Sequence, residues 1–143
     1  MPWRLEDHTA DALLAVEGAD WPALLEEAAA ALAGFVTGGD IPGTTLRKMR
    51  RVAVGADEPS EAWVQWWREL FRLWSVEGLL AVSAGVREDS TPQETRAVLR
   101  CVPAEQLSAA SLTDVKAVTR HRAEVEAPAA GDASWRGRIV LDV

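Results

Sequence analysis

The chain has 143 residues, and 22 acidic against 15 basic side chains leave it at a net charge of −7. That length supports one domain with a single core, and the acidic balance argues against a protein that grips nucleic acid by itself, because phosphate contacts dominate such affinity. One cysteine, Cys101, excludes an internal disulfide and any Cys-rich zinc site, and no apolar run approaches the roughly 20 residues of a membrane span.

Residues 3–6 (WRLE) and 12–18 (ALLAVEG) read as two short strands around the polar turn Asp7-His8-Thr9-Ala10-Asp11. Asp20 is a helix N-cap with Pro22 in the first turn, and Leu24, Leu25, Ala28, Ala31, Leu32 and Phe35 follow at helical spacing. Gly38-Gly39 stops this helix near residue 36. The segment GGDIPG-Thr44-Thr45 lacks the lysine of a phosphate loop and runs from helix to strand, the reverse of that motif, so it reads as a helix stop and a proline turn.

Residues 44–54 predict a strand carrying Arg47, Lys48, Arg50 and Arg51. Alternation splits this run between two faces, as in a solvated edge strand, with a docking point for an acidic partner surface or an RNA backbone as the alternative. A second helix is predicted over 60–77, with Trp63, Trp66, Trp67, Leu70 and Trp74 on one face and Glu61, Gln65, Arg68, Glu69 and Arg72 on the other. Tryptophans at that spacing are core residues first; one that cannot fit would make a partner-binding patch. Strands are then predicted at 79–87, 93–102, 115–126 and 135–143, separated by proline and glycine turns. In the last, Trp135, Ile139, Leu141 and Val143 point one way and Arg136, Arg138, Val140 and Asp142 the other. The long β run after Gly78 predicts an α+β fold: a mainly antiparallel sheet arrangement with two amphipathic helices packed on one face, as a single domain over residues 1–143.

No serine-hydrolase elbow is present, and neither histidine, His8 or His121, has a serine in a recognisable setting. The chain ends are more informative. Asp11 lies in the turn before the second strand, and Asp142 precedes Val143 with its terminal carboxylate. If the last strand lies beside strand 1 or 2, three anionic oxygen sources converge, a repulsive arrangement unless a cation sits among them. Hard divalent ions take such oxygens.

Several separated motifs together resemble one family. The turn His8-Thr9-Ala10-Asp11 is similar to the HTAD turn of the archeases, and the Leu-Leu-Glu-Glu-Ala-Ala helix (24–29) follows at the family's spacing. The segment 64–80 (VQWWRELFRLWSVEGLL) resembles the family's second helix and its exit. Val115-Lys116-Ala117-Val118-Thr119 with His121 resembles its VKAVTYH strand, and WRGRIVLDV (135–143) its closing strand. Arg68 and Arg120 depart from the pattern, standing where the family usually has Asn and Tyr.

The lone cysteine and an N-terminus charged from residue 4, without an apolar h-region, point to a cytoplasmic protein, and the resemblance implies a non-catalytic accessory factor for a GTP-dependent RNA ligase of the RtcB type. Such a factor promotes formation of the ligase–guanylate intermediate and multiple turnover in tRNA splicing or RNA repair, meeting RNA only through the ligase. It also implies a divalent cation, Ca²⁺ ahead of Mg²⁺ or Mn²⁺, with Asp11, Asp142 and Val143 as ligands. His8, Glu26, Lys116 and His121 match polar family positions and are secondary candidates. From the residues alone, two other readings stand: a metal-dependent hydrolase with His8 or His121 as base, and a chaperone-like binding module using the Trp-rich helix.

Overall fold

The structure, a computed structural model, describes residues 2–6, 11–41, 43, 47–129, 131 and 134–143. His8, the turn residues 7–10, Pro42, and Thr44 and Thr45 of the glycine-rich segment lie outside the described residues, as does Asp132 in the turn before the last strand.

In chain order the elements are β1 (Trp3–Glu6), β2 (Ala12–Gly18), α1 (Trp21–Thr37), β3 (Lys48–Val54), α2 (Pro59–Glu77), β4 (Leu79–Val86), β5 (Thr95–Pro103), β6 (Ala117–Glu126) and β7 (Trp135–Asp142), with two short 3₁₀ turns between β5 and β6. Every strand pair is antiparallel, in two sheets: β1-β2-β7-β6, and β3-β5-β4. The basic run is indeed on an edge strand, β3. No helix among the described residues is long and apolar enough to cross a membrane.

The caps act as their residue types require. The Asp20 carboxylate accepts the Ala23 N–H at 2.8 Å, satisfying one of the four orphan donors at the start of α1. Gly38 closes the helix in the left-handed region at φ 68°, where a Cβ is unfavourable. Gly78 does the same for α2 at φ 65°, and its N–H bonds back to the Leu73 carbonyl.

Both helices pack against both sheets: α1 meets β2 and β4, and α2 meets β6 and β4. A helix flanked on two sides must be apolar over much of its circumference. Accordingly α1 buries Ala28, Ala29, Ala31 and Ala33 as well as Leu24, Leu25 and Leu32, and its small residues let the sheets come close. The helix keeps one flank for Glu26, whose carboxylate accepts the Val86 N–H of β4 at 3.0 Å.

The centre of the molecule is built from α2. Trp63, Trp66 and Trp67 are fully buried, so the helix presents no tryptophan patch at these positions. Trp63 donates its indole N–H to the Arg138 carbonyl of β7 at 2.8 Å, and Trp66 donates to the Leu25 carbonyl of α1 at 3.0 Å. Trp21 of α1 donates to the Thr95 hydroxyl of β5 at 3.0 Å. Each indole therefore ties two elements together while its ring fills the core. The Trp67 N–H has no hydrogen-bond partner among the described residues; its ring meets Trp63 edge-on at 5.6 Å and is held by packing.

Gly137 makes the central contact possible. A Cβ there would lie 2.5 Å from the Trp63 ring, whereas one at Gly85, also in a strand, would meet only the Val98 carbonyl at 4.0 Å. Cys101 is fully buried in β5, and desolvation pushes its thiol up to about 11. Two predictions follow from this packing. Gly137→Ala should destabilise by about 1–3 kcal/mol, as overpacking does, lowering the melting temperature by several degrees, while Gly85→Ala should leave it unchanged; equal melting curves for the two variants would refute the close contact. At neutral pH Cys101 should not react with a thiol-specific disulfide reagent until denaturant is added, and stoichiometric colour release from the native chain would contradict its burial.

Candidate functional site

The strand β7 lies between β2 and β6, so both its flanks are paired. Ala12 pairs with Leu141 on one side, and Ala117 pairs with Asp142 on the other. One step beyond Ala12, the same register carries Asp11 to the level of Asp142. Alternation sorts β7 into an inner row, Gly137, Ile139 and Leu141, all buried, and an outer row ending in Asp142, which is exposed. Val143 follows at 41% exposure.

Two carboxylates brought to the same end of a sheet repel if they face each other. Asp11 is half-buried and takes part in further interactions, and the Asp142 carbonyl accepts the Lys116 N–H at 2.7 Å. That bond extends the β6–β7 ladder by one residue and sets Lys116, whose side chain is exposed, beside Val143. The structure thus brings together four of the residues picked out by sequence: Asp11, Asp142, Val143 and Lys116. Among the described residues no group of three or more His, Cys, Asp or Glu side chains forms a metal cluster. The donors available at this corner are two carboxylates and main-chain oxygens, an all-oxygen set that suits a hard cation keeping several waters.

The other candidates lie elsewhere. Glu26 is committed to the backbone of β4 in the second sheet. His121 is exposed within an irregular stretch of β6, where the pairing jumps from Thr119↔Val140 to Glu124↔Arg138. Its N–H donates to the Thr119 hydroxyl at 3.0 Å, and the next residue, Arg122, has φ 63°, an uncommon conformation for a side-chain-bearing residue. His8 is outside the described residues.

The Arg120 guanidinium, on the same irregular stretch, bonds the Glu61 carboxylate in the first turn of α2. This hydrogen bond, helped by charge attraction, holds the Glu61 carboxyl below the ordinary carboxylate value. Arg120 therefore anchors β6 to α2, a role that no local sequence pattern signals because the partners are 59 residues apart.

The outer face of this sheet also carries paired charges and an unexpected apolar row. Arg136 meets Glu17 and Arg138 meets Glu124, each at 3.6 Å. Val140, expected to share a polar face, is 1% exposed, and its cross-strand partner Leu13 is 4% exposed. Both lie one row in from the Asp11–Asp142 level.

The model of the Archease protein family matches residues 3–143. Protein archease of Methanopyrus kandleri is 31% identical over 146 residues, covering the whole of both chains. The solution structure of protein 1598 of Methanobacterium thermoautotrophicum superposes with a TM-score of 0.73 at 22% identity over 99% of each chain. The crystal structure of an archease, described as a possible chaperone, from Thermotoga maritima gives 0.66 at 19% identity, over 96% of this chain and 94% of that one. The two structures share the fold; the family model and the Methanopyrus relative carry the assignment, and the chain belongs to the archease family.

Proposed function

We propose that this chain is a non-catalytic accessory factor that activates a GTP-dependent RNA ligase of the RtcB type, promoting its guanylylation and multiple turnover in tRNA splicing or RNA repair. The observation that carries the reading is the register of β2 on β7, which sets Asp11 level with Asp142 at the corner where Lys116 meets the same strand. In this reading Asp11, Asp142 and the main-chain oxygens of Val143 hold a divalent cation, Ca²⁺ ahead of Mg²⁺ or Mn²⁺. The bound ion supplies fixed positive charge at an otherwise acidic corner. Asp142 serves as a ligand without strain because its side chain is turned away from the apolar row of β7. Lys116 fixes the Asp142 main chain through its N–H. The net charge of −7 favours approach to a basic ligase surface.

A chaperone-like reading comes from the description of the Thermotoga protein. Of the tryptophans that would motivate it here, Trp63, Trp66 and Trp67 are enclosed in the core and Trp74 is half-buried against it. A stand-alone hydrolase would need His8 or His121 as base beside the carboxylates; His121 sits on the irregular stretch of β6, and His8 lies outside the described residues.

The test joins two measurements. Calorimetric titration with Ca²⁺, Mg²⁺ and Mn²⁺ should show binding that falls at least about tenfold in Asp142→Ala and in Asp11→Ala, since losing a ligand costs no less than losing its supporting partner. The same variants should lose stimulation of ligase turnover under multiple-turnover conditions while their melting temperatures stay within a few degrees of wild type. Full stimulation by a folded Asp11→Ala/Asp142→Ala double variant would overturn the role of the acidic pair. Chemistry on RNA or nucleotide by the chain alone would overturn the accessory role.

A further inference from the structure

The second sheet has a charge pattern unlike the rest of the chain. Its strands read KMRRVAV, LLAVSAGV and TRAVLRCVP, without one acidic residue, in a protein with a net charge of −7. The inner row (Val52, Ala97, Leu99, Cys101) faces the core. Arg51, Arg96 and Arg100 alternate with that row, are exposed, and stand on the outer face; Arg87, just past β4, joins them through its N–H bond to the Arg96 carbonyl. Among the described residues Arg51, Arg87, Arg96 and Arg100 are all exposed.

Register sets the spacing. Arg51 is opposite Val98, so Arg96 and Arg100 are its two diagonal neighbours on β5, roughly 7–8 Å away along the backbone. Arg87 and Arg96 are adjacent across strands, a like-charge pairing that destabilises a sheet unless an anion is shared. Among the described residues each has only an exposed ion pair to a nearby loop acid, Asp89 at 3.1 Å and Glu94 at 3.4 Å, of the kind that contributes little. Among the described residues Arg51 and Arg100 have no ion-pair partner. The first sheet's outer face, by contrast, matches Arg136 and Arg138 with Glu17 and Glu124.

The shape fits an extended ligand. A hollow of about 460 Å³ lies between Arg51, Arg87 and Arg96 over a floor that includes Gly85, Ala53 and Val98. It adjoins a second of about 380 Å³ running past Gly55, Gln93 and the one acid of its lining, Glu94, the two sharing Ala53 and Arg96. Small floor residues admit a bulky backbone, and guanidinium groups suit phosphate through paired donors. The face has no aromatic side chain, so bases are not stacked or read. It also lacks the apolar anchors that would centre a protein interface; Met49 and Val98 are its largest exposed hydrophobic residues.

We propose that the outer face of the β3-β5-β4 sheet binds the phosphodiester backbone of an RNA strand, without sequence preference, through Arg51, Arg87, Arg96 and Arg100. The choice of RNA rests on the ligase reading. The overall negative charge keeps the affinity of the free chain low, so the contact operates on RNA that the ligase already holds nearby.

The experiment is fluorescence anisotropy of a labelled oligouridylate titrated with the full chain at increasing KCl, without ligase. Four phosphate contacts predict a slope of log K against log salt near −2.8 for a single strand, and the double variant Arg51→Ala/Arg100→Ala should bring it to about −1.4 and weaken binding about tenfold or more at low salt. Arg51 and Arg100 are exposed, so melting curves should confirm that the variant is folded. No salt-dependent RNA binding by wild type, or unchanged binding by the folded variant, overturns the proposal. Binding of polyglutamate but not RNA also overturns it and assigns the face to an acidic protein. Because no ligase is present, these outcomes are separate from ligase turnover, which decides the accessory role.

Discussion

The contact between the Trp63 indole and the bare backbone at Gly137 holds the architecture together. It is where α2 meets β7, and β7 is the strand on which the first sheet is assembled. The indole ring lies where a side chain on β7 would otherwise stand, and its N–H takes the Arg138 carbonyl next door. Packing and hydrogen bonding thus fix the same pair of elements, with Trp66 extending the tie to α1. Asp142 lies five residues along from this point on the same strand, so its position is inherited from the core rather than from a loop.

Much of the architecture is legible in the sequence because it is local. Asp20, Gly38 and Gly78 mark helix ends through their own backbone chemistry, and alternation in residues 135–142 separates inner from outer rows. What is not legible is long-range. Nothing in the residues says that the seven strands of the described residues divide into two sheets, or that β7 joins β2 to β6. The same gap explains Val140 and Leu13, buried on a face that alternation marks as polar. Within the basic run, alternation does separate Arg51, which is outward, from Arg50, which reaches Glu77 of α2 at 3.6 Å.

The candidate site shows the same division. Asp11 and Asp142 stand out as acids at strand ends, but their alignment depends on a register between residues over a hundred positions apart in the chain. Glu26 reads from sequence as one more polar position on a helix; its bond to the Val86 N–H of β4 involves a partner 60 residues away. Charge is segregated in a similarly non-local way. Mixed signs offset one another on the first sheet, while the arginines of the second become one surface only when β3, β4 and β5 are laid side by side.

The order of strands has a consequence for how the molecule is assembled. The second sheet draws on one continuous stretch, residues 48–103, whose pairings can form as soon as that stretch is available. The first sheet takes β1 and β2 from one side of this stretch and β6 and β7 from the other, so its closure requires bringing together segments separated by nearly the whole chain. Loop-closure entropy and contact order therefore concentrate the kinetic barrier on the docking of β2 with β7. The corner formed by Asp11 and Asp142 lies on that seam and comes into being only when the chain's slowest pairing is complete.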